Sequence, residues 1–382
     1  MLTSGIKFIS FKKKKNKNIS KILSKLLNES NPVLNSLSKE YKDSFKKKNL
    51  KKFNQSSNYR IIGMGGSSLG AQTIYYFLKH KINKKFHFLD NLQKNTNKIK
   101  KKITNLIISK SGNTVETIVN ANIFIKKNDK NIFITENRKS YLHLLAQKMK
   151  AEIIHHNNFI GGRYSVLSEV GMVPAELMGL NSRNFRQYNS LIKNKKFLNS
   201  LINNVATTLF FIKKKKFNSI IINYDEKSEN LFKWYQQLVA ESLGKNKKGL
   251  LPIVSNMPKD NHSVMQLYLD GFENNFFTFF SASDKKSEKI KNKYLLTSHN
   301  YLKNKEISSI MSAQKKATEN VFRKKNIPFR SFEIIKRDEK TLGELFCFFI
   351  METILLGRCL NINPFDQPAV ELIKKETKKI LT

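Results

Sequence analysis

The chain has 382 residues, 40% of them apolar and 11% aromatic, enough for two domains of ordinary size and too much to leave it globally disordered. Its 70 Lys and Arg against 29 Asp and Glu give a formal charge of +41. The excess is nearly all Lys, spread in short runs (Lys12–Lys15, Lys46–Lys48, Lys213–Lys216, Lys324–Lys325) beside abundant Asn and Ile. Only nine Arg are present, and neither zinc-finger spacing nor basic-region heptads occur, which argues against a specific nucleic-acid reader. The lysines read as solvated faces that can also steer small phosphorylated anions. Two cysteines, Cys347 and Cys359, make no disulfide framework and fit a reducing compartment. The stretch Met1–Phe11 runs from apolar residues into lysines, the reverse of a signal peptide. Leu345–Leu360 is interrupted by Glu352 and Arg358 and is too short to span a bilayer. The expectation is a cytoplasmic protein without a membrane partner.

In chain order, residues 1–55 read as an N-terminal helical arm, with a helix over Ile19–Leu27 and Pro32 breaking the pattern after it. From Tyr59 the pattern alternates. Tyr59–Ile62 is a predicted strand ending in Gly63-Met-Gly-Gly-Ser-Ser-Leu-Gly70, followed by a helix through Tyr76 and Leu78. Phe86–Leu89 and Leu106–Ser109 are further strands. The second leads into Ser109-Lys-Ser-Gly-Asn-Thr-Val-Glu-Thr117 and another helix, and Ile132–Thr135 is a fourth strand. Strands alternating with helices predict a layered α/β domain with a mainly parallel sheet, here 56–199. Ligands in such sheets bind beyond the C-terminal strand ends, where both Ser/Gly loops fall. A second α/β domain, 200–362, is predicted from strands at Ser219–Asn223, Gly249–Val254, Asn275–Phe280 and Phe329–Ile334, with helices at Leu231–Glu241 and Leu342–Leu356. Residues 363–382 form a C-terminal motif and a last helix, Ala369–Leu381.

The loop Gly63–Gly70 fails the dinucleotide spacing, since Ser68 stands where the third glycine belongs, and it lacks a Walker A lysine. Its free amides and the hydroxyls of Ser67 and Ser68 suit one phosphate; a plain glycine turn fits the pattern equally. Ser109, Ser111 and Thr114 flank Lys110 and Gly112 at a helix start, where hydroxyls and amides can surround phosphate oxygens, or where an ordinary capping box can sit. Arg163, after two glycines in Gly161-Gly-Arg-Tyr-Ser165, can face a developing anion or serve a surface ion pair. The seven histidines show no metal-ligand spacing. Glu241 ends an apolar helix, where the macrodipole disfavours a carboxylate, a setting for a base as well as for a surface residue.

In order and spread, these blocks resemble the phosphoglucose isomerase family in its shorter bacterial form, from about residue 59 to the end. The resembling elements are Gly63–Gly70, Ser109–Thr117, Gly161–Ser165 and Phe365–Lys374. The resemblance implies two layered α/β sugar-isomerase (SIS-type) domains with mainly parallel central sheets, plus helical N- and C-terminal extensions. It implies reversible isomerisation of glucose 6-phosphate and fructose 6-phosphate through a cis-enediolate, in glycolysis and gluconeogenesis, with no cofactor and no metal. It makes Glu241 the base, His262 the ring-opening histidine supplied across a homodimer interface, Lys374 its assistant, and Arg163 the stabiliser of the enediolate. Ser67, Ser109, Lys110, Ser111 and Thr114 would hold the phosphate, and Gln367 would touch the sugar. Met257-Pro-Lys-Asp-Asn261 departs from the long-chain members, and a partner-embracing hook of larger relatives is not evident. His299 is a rival to His262. The competing readings are another phosphosugar isomerase, a non-catalytic phosphosugar sensor and a nonspecific nucleic-acid binder.

Overall fold

The computed structural model describes residues 1–11, 17–92, 103–126, 128–283 and 287–382; the run Lys12–Lys15 lies outside them. Two five-stranded sheets organise the chain. The N-terminal segment, expected to be helical, opens with strand β1 (Ile6–Ile9) before helix α1 (Lys17–Asn28). Four residues of alternating pattern are too few to show a period in sequence. Pairing decides the conformation here: Ile6 faces Ile334 and Phe8 faces Phe332 across an antiparallel ladder. Pro32, read as a breaker, instead starts a short helix, Pro32–Ser36, capped by Asn31.

The first sheet holds β2 (Asn58–Ile62), β3 (Lys85–Leu89), β4 (Thr104–Ile108), β5 (Lys130–Glu136) and β6 (Glu152–His156). All are parallel, in the order β3-β2-β4-β5-β6. β2 and β4 are buried at every position, as expected of strands covered on both faces. β6 was not expected; Glu152, His155 and His156 mask its apolar pattern. Helices α2 (Gly66–Phe77), α3 (Val115–Phe124), α4 (Tyr141–Lys148) and α5 (Glu169–Leu177) flank this sheet. The chain leaves β2 for β3 on one side and returns to β4 on the other, so the topological switch point lies between β2 and β4.

Helix α6 (Lys195–Lys213) runs through position 200, so the expected boundary at 199/200 falls inside a helix. The second sheet holds β1 with β7 (Asn218–Asn223), β8 (Leu251–Asn256), β9 (Asn275–Ala282) and β10 (Phe329–Ile334), in the order β1-β10-β9-β7-β8. Helix α7 (Glu229–Leu243) packs against α2 of the first sheet, which ties the two layers together. Helix α8 is Ile307–Lys324, and α9 (Glu339–Cys359) is buried from Thr341 to Gly357, the mark of a helix apolar all round. Of its two buried carboxylates, Glu344 accepts from Thr3 Oγ1 at 2.6 Å, and Glu352 is met by Arg330, whose Nη2 lies 3.1 Å from Oε2. The last helix, α10 (Val370–Leu381), buries no residue. Among the described residues no helix is long and apolar enough to cross a membrane.

Burial pushes the Cys347 thiol up to about 12 and the Cys359 thiol up to about 11. The thiolate is the reactive form. Folded protein at pH 8 is therefore expected to leave both cysteines unlabelled by Ellman's reagent, and two thiols should react after denaturation. Fast labelling of Cys347 in the folded state would contradict this packing.

Candidate active site

Both Ser/Gly loops leave the C-terminal ends of β2 and β4, at the switch point where open α/β sheets take ligands. The glycine turn comes close to the Arg163 loop. A Cβ at Gly66 would lie 2.2 Å from the carbonyl of Gly162 and 2.7 Å from the amide of Arg163, so only glycine allows the approach. Ser68 is buried and accepts a hydrogen bond from Gln72 Nε2 at 3.2 Å. Ser67 is half-exposed, which leaves its hydroxyl as the one open to the crevice.

The second loop is wound tightly ahead of α3. Gly112 has φ +65°, and a Cβ there would strike the side chain of Ser140. Thr114 occupies the cap position of α3 without capping it; its Oγ1 instead lies 2.9 Å from Ser109 Oγ. The capping-box reading therefore fails. Ser111 Oγ accepts from the Asn113 amide at 3.2 Å, and the hydroxyl of Thr117 is buried without a partner among the described residues. The paired hydroxyls of Ser109 and Thr114, the nearby Ser111 and the open amides of the first turn of α3 make an arrangement that suits an anion. Lys110 reaches back to Glu136 at 3.4 Å, a carboxylate it shares with Arg138 at 2.7 Å.

Arg163 is 1% exposed, and every N–H of its guanidinium is used. Nε donates to Ser242 Oγ at 2.8 Å. Nη1 donates to Glu241 Oε2 at 3.3 Å and to Gln367 Oε1 at 2.6 Å. Nη2 donates to the carbonyls of Pro364 at 2.6 Å and Asp366 at 3.0 Å. The indole N–H of Trp234 holds the carbonyl of Arg163 itself at 3.0 Å. Lys245, just past α7, pairs with Asp366 at 2.6 Å and fastens the C-terminal loop. Asp366 is held below the usual carboxylate range, first by that hydrogen bond.

Sequence reasoning passed over Gln237. One helical turn before Glu241, its Nε2 donates to Glu241 Oε1 at 2.8 Å. A Cβ at Gly65 would stand 2.8 Å from that same nitrogen, and Gln237 Oε1 is buried without a partner among the described residues. Its place four residues before the expected base was the available signal. The structure thus brings Arg163, Glu241 and Gln367 together, next to the glycine turn and the hydroxyl loop. It does not bring His262 or Lys374 to them. His262 is exposed at the end of a short 3-10 turn, Lys259–His262. Lys374 stands on the exposed helix α10, paired with Glu371 at 2.6 Å. His299 is exposed on another 3-10 segment.

Fold and site together set a hydroxyl-rich loop at the switch point of a parallel α/β sheet, beside a carboxylate–guanidinium pair. A family model described as phosphoglucose isomerase matches residues 5–382. The chain is 33% identical over 368 residues to a glucose-6-phosphate isomerase of Methanocaldococcus jannaschii, covering 88% of each sequence. Among solved structures, a hypothetical protein of Thermus thermophilus superposes with a TM-score of 0.82 at 21% identity, covering 96% of this chain and 95% of that one. A glucose-6-phosphate isomerase of Chlamydia trachomatis superposes at 0.75 with 17% identity, covering 99% and 89%. The chain belongs to the phosphoglucose isomerase family.

Gly66→Ala is expected to force the glycine turn away from the Arg163 loop and to cost about 1–3 kcal/mol, the usual toll of overpacking. Thermal unfolding should show a lowered Tm, and an unchanged Tm would contradict the close approach.

Proposed function

We propose that the chain interconverts D-glucose 6-phosphate and D-fructose 6-phosphate, serving glycolysis and gluconeogenesis in the cytoplasm. The observation that carries this reading is the contact of Arg163 with both Glu241 and Gln367 at the switch-point end of the sheet. Ser67, Ser109, Ser111 and Thr114 hold the phosphate, with Lys110 in the same loop. The phosphate does not react; its binding energy holds the sugar so that one carboxylate can reach both C1 and C2.

His262 donates to the ring oxygen while Lys374 assists, and the sugar opens. Glu241 then takes the proton from C2. Negative charge develops on the oxygens of a cis-enediolate, beside Arg163. Glu241 returns the proton to C1, and no electrons leave the substrate. The donor set of Arg163 suits this part. Ser242 and two backbone carbonyls fix its plane. The two Nη1 donors meet only side chains, Glu241 and Gln367, and those contacts can be exchanged for sugar oxygens.

His262 and Lys374 must come from elsewhere, and a homodimer supplies the means. Two exposed apolar surfaces support it: Val115, Val119 and Ile123 along α3, and Leu372, Ile373, Ile380 and Leu381 on α10. Helix α3 carries no basic residue, in a chain whose other surfaces are rich in lysine, and depletion of charge is the mark of an interface core. Docking of α10 would also move Lys374 out of solvent.

Glu241→Gln keeps the shape of the base and one of its two accepted hydrogen bonds, and removes its basicity. Turnover of fructose 6-phosphate is expected to fall about 10²–10⁴-fold, with sugar-phosphate affinity by calorimetry nearly unchanged. Loss of both, or of neither, would overturn the assignment.

A further inference from the structure

The Arg163 loop has a second attachment, on the side away from the crevice. His156, at the end of β6, is 2% exposed, and its Nε2 lies 2.9 Å from the carbonyl of Ile160. Arg186 is 1% exposed, and its Nη2 donates to the carbonyl of Leu167 at 3.1 Å. These two carbonyls bracket the stretch Gly161–Val166. Each donor is backed by a carboxylate, buried for Glu169 and half-buried for Asp43. His156 Nδ1 lies 3.5 Å from Glu169 Oε2, and Arg186 Nη1 lies 3.0 Å from Asp43 Oδ2.

The two halves are joined by one short piece of the N-terminal segment. The hydroxyl of Tyr41 donates to Glu169, 3.0 and 3.2 Å from its two oxygens, and its ring lies 4.9 Å from the guanidinium carbon of Arg186. The amide of Ser44 donates to Glu169 Oε1 at 3.1 Å. Burial alone would push the Glu169 carboxyl up, but the bonds from His156 and from backbone amides bring it below its ordinary value. None of these groups belongs to the site described above.

The loop needs holding from outside. Gly161 and Gly162 have no side chains to pack, and a Cβ at Gly161 would meet nothing nearer than 3.7 Å. Gly162 rests against Gly66, but crowding does not fix the backbone at Gly161, and glycine backbone is soft.

We propose that His156 and Arg186 are positioning residues for the isomerisation. They fix the carbonyls at the two ends of the Arg163 loop, and so hold the guanidinium where it faces Glu241. Neither touches the sugar. The proposal rests on the reading that Arg163 stabilises the intermediate. A guanidinium displaced by about 1 Å loses transition-state contacts while the phosphate site still binds, so the loss falls on kcat.

The test uses two amides at one position. In His156→Asn the amide nitrogen stands near Nδ1, keeping a group beside Glu169 and losing the bond to Ile160. In His156→Gln it stands near Nε2 and keeps that bond. With fructose 6-phosphate, His156→Asn is expected to lower kcat about 10–100-fold with KM within about twofold. His156→Gln should return kcat to within about threefold of the parent. In an Arg163→Lys background, His156→Asn should cost nothing further, because the group it positions is gone. Equal effects of Asn and Gln, or the same additional loss in the Arg163→Lys background, would overturn the proposal. Should His156→Asn not fold, Arg186→Lys keeps a charge beside Asp43, gives up the bond to Leu167, and is held to the same kcat and double-mutant criteria. Failure of the underlying reading looks different: there Arg163→Lys itself would retain full turnover. Loss in Arg163→Lys with none in His156→Asn would reject the positioning role alone.

Discussion

A buried guanidinium with all five donors committed sets the geometry of this molecule's site. Removing an arginine from water is costly unless its charge and every N–H are met. Arg163 meets that condition only when three segments converge: its own loop after β6, the end of α7, and the C-terminal loop at Pro364–Gln367. Displacing any one of them leaves a buried donor unpaired. The packing of α7 against α2, the anchoring of Asp366 by Lys245 and the contact of Gly66 with Gly162 all converge on the same few ångströms.

Charge works at two ranges. The excess of lysine gives the chain a long-range field that attracts phosphorylated sugars and is screened by salt. Close to the site, the basic groups are neutralised: Lys110 and Arg138 share Glu136, Lys245 pairs with Asp366, and Arg163 faces Glu241. The hydroxyls and the helix amides of the Ser109–Thr114 loop carry no formal charge, and groups of that kind select an anion by geometry. The bulk number that first suggested a nucleic-acid partner thus has little to do with how the site is built.

Much of the fold was legible because its strands are short apolar runs that end in Gly/Ser loops. Ile61 and Ile62 before the glycine turn, and Leu106–Ile108 before the hydroxyl loop, announce strand ends where ligands bind. β6 was hidden by its polar residues, and β1 by its length; both take their conformation from neighbouring strands. The site was less legible. Glu241 and Gln367 lie 78 and 204 positions beyond Arg163, and no spacing rule joins residues so far apart. Their grouping was suggested by family resemblance alone. Tyr41, Asp43, His156 and Glu169 gave no signal at all, since a buried polar network is defined by partners that only the folded chain brings together. His262 and Lys374 stand exposed and apart from the Arg163 group, and no local pattern in the sequence announces this.

The central claim is that this site isomerises a phosphorylated hexose with its own side chains alone. Its most direct test is the conversion of fructose 6-phosphate to glucose 6-phosphate by purified, chelator-treated protein, followed through coupled reduction of NADP⁺. The account predicts sustained turnover, unchanged when divalent metal is added back. Folded protein that produces no glucose 6-phosphate, or does so only with added metal, would contradict it.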